Sequence, residues 1–405
     1  MPARRLPSNP SLEHLRNEAR DLQRGVRSGE PDAVALVAEH HPDRDVALSG
    51  LKLTDAQLVV ARRYGFPSWN RLREHLAVVE AHARSPHEMD VEDDDLVARF
   101  LNLACLTYGS SDSPSRWAQA RALLDEHPSI ATANIWAMAT AGAADALAES
   151  LADEPDLVDR EGGPQRWAPL LYAAYSRVPL DGRSTLDAAR VLVDHGADPN
   201  AGYLWEGLPS PFTALTGALG GGEDAVNQPP HPDGHALARL LLEAGADPND
   251  NQALYNRMFD PSDDHFELLF AHGLGQGDGG PWRARMPAAA ESIPAMLAMQ
   301  LQWAAERGMV ERVQSTHAPM VVAAEAGNTA AIQLMVSLGF DVNALGRIAA
   351  LHEAASTGNI EIVRLLLTLG ADPNLHDRAF DAPALGWARH NGHDEAAAIL
   401  EPLTG

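Results

Sequence analysis

AALHEAASTGNIEIVRLLLTLGADPN, residues 349–374, writes out a complete two-helix unit. Leu351, Ala354 and Ala355 put small and apolar groups on one face of a short first helix. Gly358 and Asn359 end it, because glycine reaches the positive φ a helix terminus needs and asparagine tolerates it. Ile360, Ile362, Val363, Leu365, Leu366 and Leu367 make a second helix that is apolar round most of its circumference. Gly370 stops it before Ala371-Asp372-Pro373-Asn374. A helix this short is not stable alone, and one this apolar is not a free surface helix. The unit needs neighbours on both sides, which predicts a repeat.

The punctuation does recur. Gly196-Ala197-Asp198-Pro199-Asn200, Gly245-Ala246-Asp247-Pro248-Asn249 and Gly339-Phe340-Asp341-Val342-Asn343 close three other segments. Gly339 and Gly370 are 31 residues apart, and Gly273 and Gly339 are 66 apart, which fits two periods. Gly196 and Gly245 are 49 apart, so that unit carries an insertion, GGGEDAVNQPPHPDGH. On these residues the chain resembles the ankyrin-repeat family, whose unit of about 33 residues runs T-P-L-H-x-A-A, G-H, a leucine-rich helix and G-A-D-V-N. Ala168-Pro169-Leu170-Leu171-Tyr172-Ala173-Ala174 stands where that family has T-P-L-H-x-A-A. The resemblance implies an all-α solenoid of stacked helix-turn-helix units. About eight helix pairs fit into residues 96–405, several of them degenerate. A longer helix with Met296, Leu297, Leu301 and Ala304 on its apolar face is expected over 293–314.

Charge separates the chain into parts. The formal net charge is −25. Residues 1–80 hold 12 basic and 11 acidic side chains, whereas residues 81–405 hold 19 and 45. A surface of that sign repels phosphate backbones, which argues against nucleic acid as a partner. Cys105 is the single cysteine, so no intrachain disulfide and no cysteine zinc cluster can form; its apolar surroundings predict an inert core thiol. No apolar run approaches a membrane span, and MPARRLPSNP lacks the apolar region of a secretory signal. A cytoplasmic protein is expected.

Residues 11–85 read as four helices, with Ser11 and Thr54 as caps and Gly65 as a stop. Asp55-Ala56-Gln57-Leu58 and Tyr64-Gly65-Phe66-Pro67-Ser68-Trp69 resemble the helical segment ahead of ankyrin arrays in many bacterial proteins. The expected division is a helical cap over 1–85, a linker over 86–95 with its run Glu92–Asp95, and the array over 96–405.

No H-E-x-x-H, G-x-S-x-G, phosphate-binding or dinucleotide fingerprint appears, so no catalytic residue, cofactor or metal is assigned. Gly220-Gly221-Gly222 lacks the strand and the Lys-Ser/Thr of a phosphate cradle and reads as a flexible loop. His231 and His235 are separated by Pro and Gly, which excludes a regular helix presenting both to a metal. His352 and His393 match positions where the resembling family keeps structural histidines, and the cluster His390, His393, Asp394 and Glu395 reads as structural rather than as a metal site. The expected function is a non-catalytic scaffold that binds another protein. In the resembling family the late residues of each first helix and the loop tips line a concave face. Carried onto this chain, those are Tyr175, Ser176, Ser356, Thr357, His390 and Asn391 on helices. Tyr203, Leu204, Trp205, Arg347, Asp377 and Arg378 are the loop tips, and Tyr203-Leu204-Trp205 has no obvious core to join. Trp282 and Arg283 add an aromatic–arginine contact in the 273–288 loop. The alternative is an enzyme or small-molecule binder whose pocket lies in the groove, closed by the 217–235 or 273–290 loops.

Overall fold

The computed structural model describes residues 6, 11–43, 48–224, 226–260, 262, 264–276, 279–287, 317–337 and 340–405. The helix expected over 293–314 lies outside the described residues. The chain divides into two units, the first made of residues 1–85, 203–211 and 282–290, the second of 86–202, 212–281 and 291–405. Helices dominate both. No helix of the described residues is long and apolar enough to cross a membrane.

The first unit contains α1 (Leu12–Ser28), α2 (Pro31–His40), α3 (Leu53–Arg63) and α4 (Trp69–His82). Ser11 caps α1 by accepting from the His14 N–H, and Gly29 ends it in the left-handed region. Thr54 falls inside the first turn of α3; the Asp55 carboxylate takes the Lys52 N–H in its place, at 2.9 Å. Helical spacing turns Leu15, Ala19, Leu22, Val59, Val60, Leu72 and Leu76 into one core. A second cluster joins Val79, Leu204, Trp282 and Met286.

That second cluster corrects two expectations. Gly202–Trp205 is a strand whose Leu204 and Trp205 pair in parallel with Ala83 and Arg84. Leu204 is fully buried, Tyr203 is 1% exposed and Trp205 is half-buried, so the patch does have a core to join. Trp282 sits in the short helix Gly280–Arg285 and is buried. Its ring meets the His82 imidazole edge-on, with the Arg285 guanidinium 4.9 Å above its centroid. Arg283 is half-buried.

The second unit is built from helix pairs: α5 (Leu96–Ala104) with α6 (Pro114–Glu126), α7 (Ile135–Thr140) with α8 (Ala144–Asp153), α9 (Pro169–Tyr175) with α10 (Thr185–Asp194), α11 (Ala214–Leu219) with α12 (Gly234–Glu243), and α13 (Asn251–Arg257) followed by α14 (Asp264–Ala271). After Gly280–Arg285, which is α15, come α16 (His317–Glu325) with α17 (Thr329–Ser337), α18 (Ala350–Thr357) with α19 (Ile360–Thr368), and α20 (Ala384–His390) with α21 (Asp394–Leu400). First helices stack on first helices, α7 on α9 on α11 on α13, and α16 on α18 on α20. Residues 86–95, expected as a linker, belong to this unit, and Pro86 is buried.

The G-x-D-x-N signature has a physical role in this stacking. Gly196, Gly245 and Gly370 stand at φ of 90°, 101° and 95° with open space where a Cβ would be, so the backbone angle alone demands glycine. Each aspartate then turns its own loop: Asp198, Asp247, Asp341 and Asp372 accept from the N–H two residues on. Asn200, Asn249 and Asn343 tie one turn to the next. Asn200 donates to the Gly245 carbonyl and accepts from the Asp247 N–H. Asn343 does the same with Gly370 and Asp372. The signature is thus a hydrogen-bonded ladder between adjacent units, with donor and acceptor both used by one amide.

Candidate functional site

The late first-helix positions divide into two groups. In the earlier pairs they are covered by the chain itself. Tyr175 is fully buried and Ser176 is 2% exposed, and Thr140 and Ala141 are fully buried. The cover is the segment after α5: Leu106 N–H donates to Tyr175 O, and Arg177 N–H donates to Ala104 O, both at 2.9 Å. Tyr108 leans its ring edge on Tyr175 and Phe212. Tyr175 and Ser176 therefore present no side-chain surface to a partner, against the sequence expectation. Cys105 is buried in this layer, and its thiol is pushed up to about 12 by burial, as an inert thiol should be.

Residues 217–224 and 226–235 complete the cover and are anchored to it at Gly217, Pro229 and His231. Buried Arg177 donates to the carbonyls of Ala174, Ser176, Gly217 and Pro229, so one guanidinium spans the inner helix and the insertion. His231 meets the Thr185 hydroxyl at 2.7 Å, and burial holds its pKa down to about 3. Gly220 and Gly221 have positive φ and sit where a Cβ would strike the backbone of Pro229 and Asn256. Glycine is required there by close approach, not by a bound phosphate.

The last pairs leave the same positions open. Thr357, His390 and Asn391 are exposed, and Ser356 is half-buried. Repeat register adds two residues that sequence reasoning missed: Glu353 and Trp387 occupy the x of L-H-x-A-A in α18 and α20. The signal was available in the alignment of Leu351-His352-Glu353-Ala354 with Leu385-Gly386-Trp387-Ala388. Glu353 is half-buried. Burial raises its carboxyl pKa, and the Glu325 carboxylate of the neighbouring first helix adds to the rise.

Beside this face stands the loop between α19 and α20. Asp377 was expected at its tip as a contact residue; instead its side chain is 3% exposed and organises the loop from within. One oxygen accepts from the N–H groups of Ala379 and Phe380, at 2.7 and 2.6 Å. The other accepts from the Ala382 N–H at 3.2 Å and the Trp387 indole at 2.9 Å. Burial alone would raise this carboxyl, but the Trp387 indole and the three backbone donors outweigh it and lower its pKa to about 2. His352 backs the same loop, accepting from the Ala349 N–H and meeting the Leu375 and Ala382 carbonyls. His393 lies against Gly358. These histidines are structural, as the sequence indicated.

What the loop presents is Phe380, 68% exposed, with its ring 5.3 Å from that of Trp387 in an edge-on contact. Arg347 and Arg378 are exposed beside it, linked through Arg378 N–H and Arg347 O. Sequence reasoning missed Phe380, whose signal was a large apolar residue in an otherwise polar loop. Chemically the face offers a fixed aromatic pair, two guanidinium groups and two carboxylates.

Residues 297–377 match the family model described as ankyrin repeats, in three copies. No curated protein matches the chain. The matched stretch contains α16 to α19 with their asparagine ladder and the Asp377 carboxylate, and this part of the chain carries ankyrin repeats.

Proposed function

We propose that this chain is a non-catalytic scaffold, a solenoid of stacked repeats that binds another protein through the open face of its last units. The observation that carries the reading is the exposed Phe380, its backbone N–H bonded to Asp377 and its ring edge-on to Trp387. A large side chain fixed in place before binding loses little conformational entropy on binding, which is how aromatic anchors gain their weight. Arg347 and Arg378 flank it, while Ser356, Thr357, His390 and Asn391 supply polar rim. Glu325 and Glu353, in a region whose acidic side chains outnumber the basic, favour a partner that is neutral or basic where it meets the inner helices.

The test is capture of partners from native cell extract at low salt, with cross-links mapped on the bait. Wild-type chain is expected to hold a protein through cross-links within residues 347–391. The F380A/R378A variant should recover at least about tenfold less of it, as the loss of a hot-spot aromatic implies. Retention of no protein, together with a small molecule that raises the melting temperature, would sink the scaffold reading.

A further inference from the structure

A cavity of about 380 Å³ opens in the second unit, away from the face described above. Its apolar walls include Met89, Val91, Val97, Leu101, Trp136 and Pro164, and Asp90, Glu92, Asp95 and Asn134 stand among them. The indole is fixed in the wall. Its Nε1 donates to the Arg160 carbonyl at 2.9 Å, and Gly162 lets the ring lie on the backbone, since a Cβ there would fall 2.0 Å from a ring carbon. Asp95 spends one oxygen capping α5 through the Ala98 N–H. Asp90 and Glu92 are exposed, and among the described residues neither meets a cation. The volume lies in the range of ligand sites.

The chemistry of these groups selects against most ligands. Two uncompensated carboxylates repel anions. A hard metal ion takes six or more oxygens, whereas Asp95 and Asn134 already spend oxygens capping α5 and α7 and the wall beyond Asp90 and Glu92 is apolar. An organic cation on an apolar stem matches all three features at once: charge for the carboxylates, a face for the indole, and methylenes for the aliphatic side chains. The charge continues past the cavity through exposed Asp93 and Asp94, further than one small cation needs. We propose that this cavity receives an Arg or Lys side chain from a basic protein segment whose neighbouring basic residues lie along residues 92–95. The site shares no residue with the Phe380 face, so the two readings stand or fall separately.

Isothermal titration of the full chain tests it with three probes. The first is a seven-residue peptide with a central arginine, flanking leucines and outer arginines. The second is its counterpart with citrulline at the centre, and the third is benzyltrimethylammonium as a free cation. The arginine peptide should saturate at low salt and weaken as salt rises, and the citrulline peptide should bind at least about tenfold less well. D90N/E92Q, at exposed positions that leave the fold intact, should lose at least about tenfold in arginine-peptide affinity, and W136L a comparable amount. F380A/R378A should bind the peptide like wild type. Absence of saturation, equal binding of the citrulline peptide, or an unchanged D90N/E92Q overturns the proposal. So does saturation by benzyltrimethylammonium without the peptide, which assigns the cavity to a small cation instead.

Discussion

Replacing Asp377 by alanine should loosen the Phe380 loop without unfolding the rest of the chain. Two arguments give the size. The carboxyl sits at about 2 against an ordinary 3.8, which corresponds to about 2 kcal/mol of folding stability at neutral pH. Counting bonds gives a similar figure: four N–H donors lose a charged acceptor, and water regained by some of them leaves about 2–4 kcal/mol. The folded pKa lies below the unfolded one, so this stability is complete above about pH 4 and is lost as pH falls through 2. A repeat chain need not unfold in one step, so a global midpoint is the wrong readout. Hydrogen exchange of peptides covering residues 375–391 is local. A loss of about 2–3 kcal/mol should speed exchange there about 30- to 160-fold at neutral pH, while residues 96–200 exchange as before. Asp377→Asn keeps one acceptor but turns an amide donor toward N–H groups, and should fall between wild type and alanine. Exchange in 375–391 within twofold of wild type for D377A would refute the view that this carboxylate holds the loop.

Two further outcomes follow from the same packing. Gly358→Ala places a Cβ 2.5 Å from His393 at a φ of +68°, whereas Gly370→Ala meets open space. Gly358→Ala should therefore cost about 2–4 kcal/mol and Gly370→Ala about 1, read as local exchange or urea midpoints; equal costs would contradict the His393 contact. His231 is held at about 3 against 6.5 unfolded, so its contribution is full above pH 6.5 and is lost as pH falls toward 3. Limited proteolysis between residues 222 and 228 should accelerate over that window, and a cleavage rate flat from pH 7 to pH 4 would show that His231 does not pin the insertion.

Much of this protein was legible in residues 349–374. Its helices, its glycine stops and its need for neighbours follow from local rules: apolar spacing, φ preference and the instability of a short apolar helix alone. The Asp-x-Asn after each glycine announced the repeat, because turn chemistry depends on residues two apart. The candidate face was legible only in part. Thr357, His390 and Asn391 stand open where the register put them, but Tyr175 and Ser176 occupy the same register and are covered by residues 104–108. Nothing local in Tyr175 distinguishes it from Thr357; what differs is a strand of chain some seventy residues earlier. The same holds for Tyr203, Leu204 and Trp282, which look like surface anchors in a loop; all three are buried, Leu204 and Trp282 against Val79 and Met286. Asp377 reversed its role for a related reason, since four donors from its own loop converge on it only once the loop closes. The sequence by itself determined the repeat, because a repeat is made of local geometry and nearest-neighbour burial. Only the tertiary structure decided which copies keep their inner face free, because cover depends on contacts between residues far apart in the chain, where spacing carries no signal.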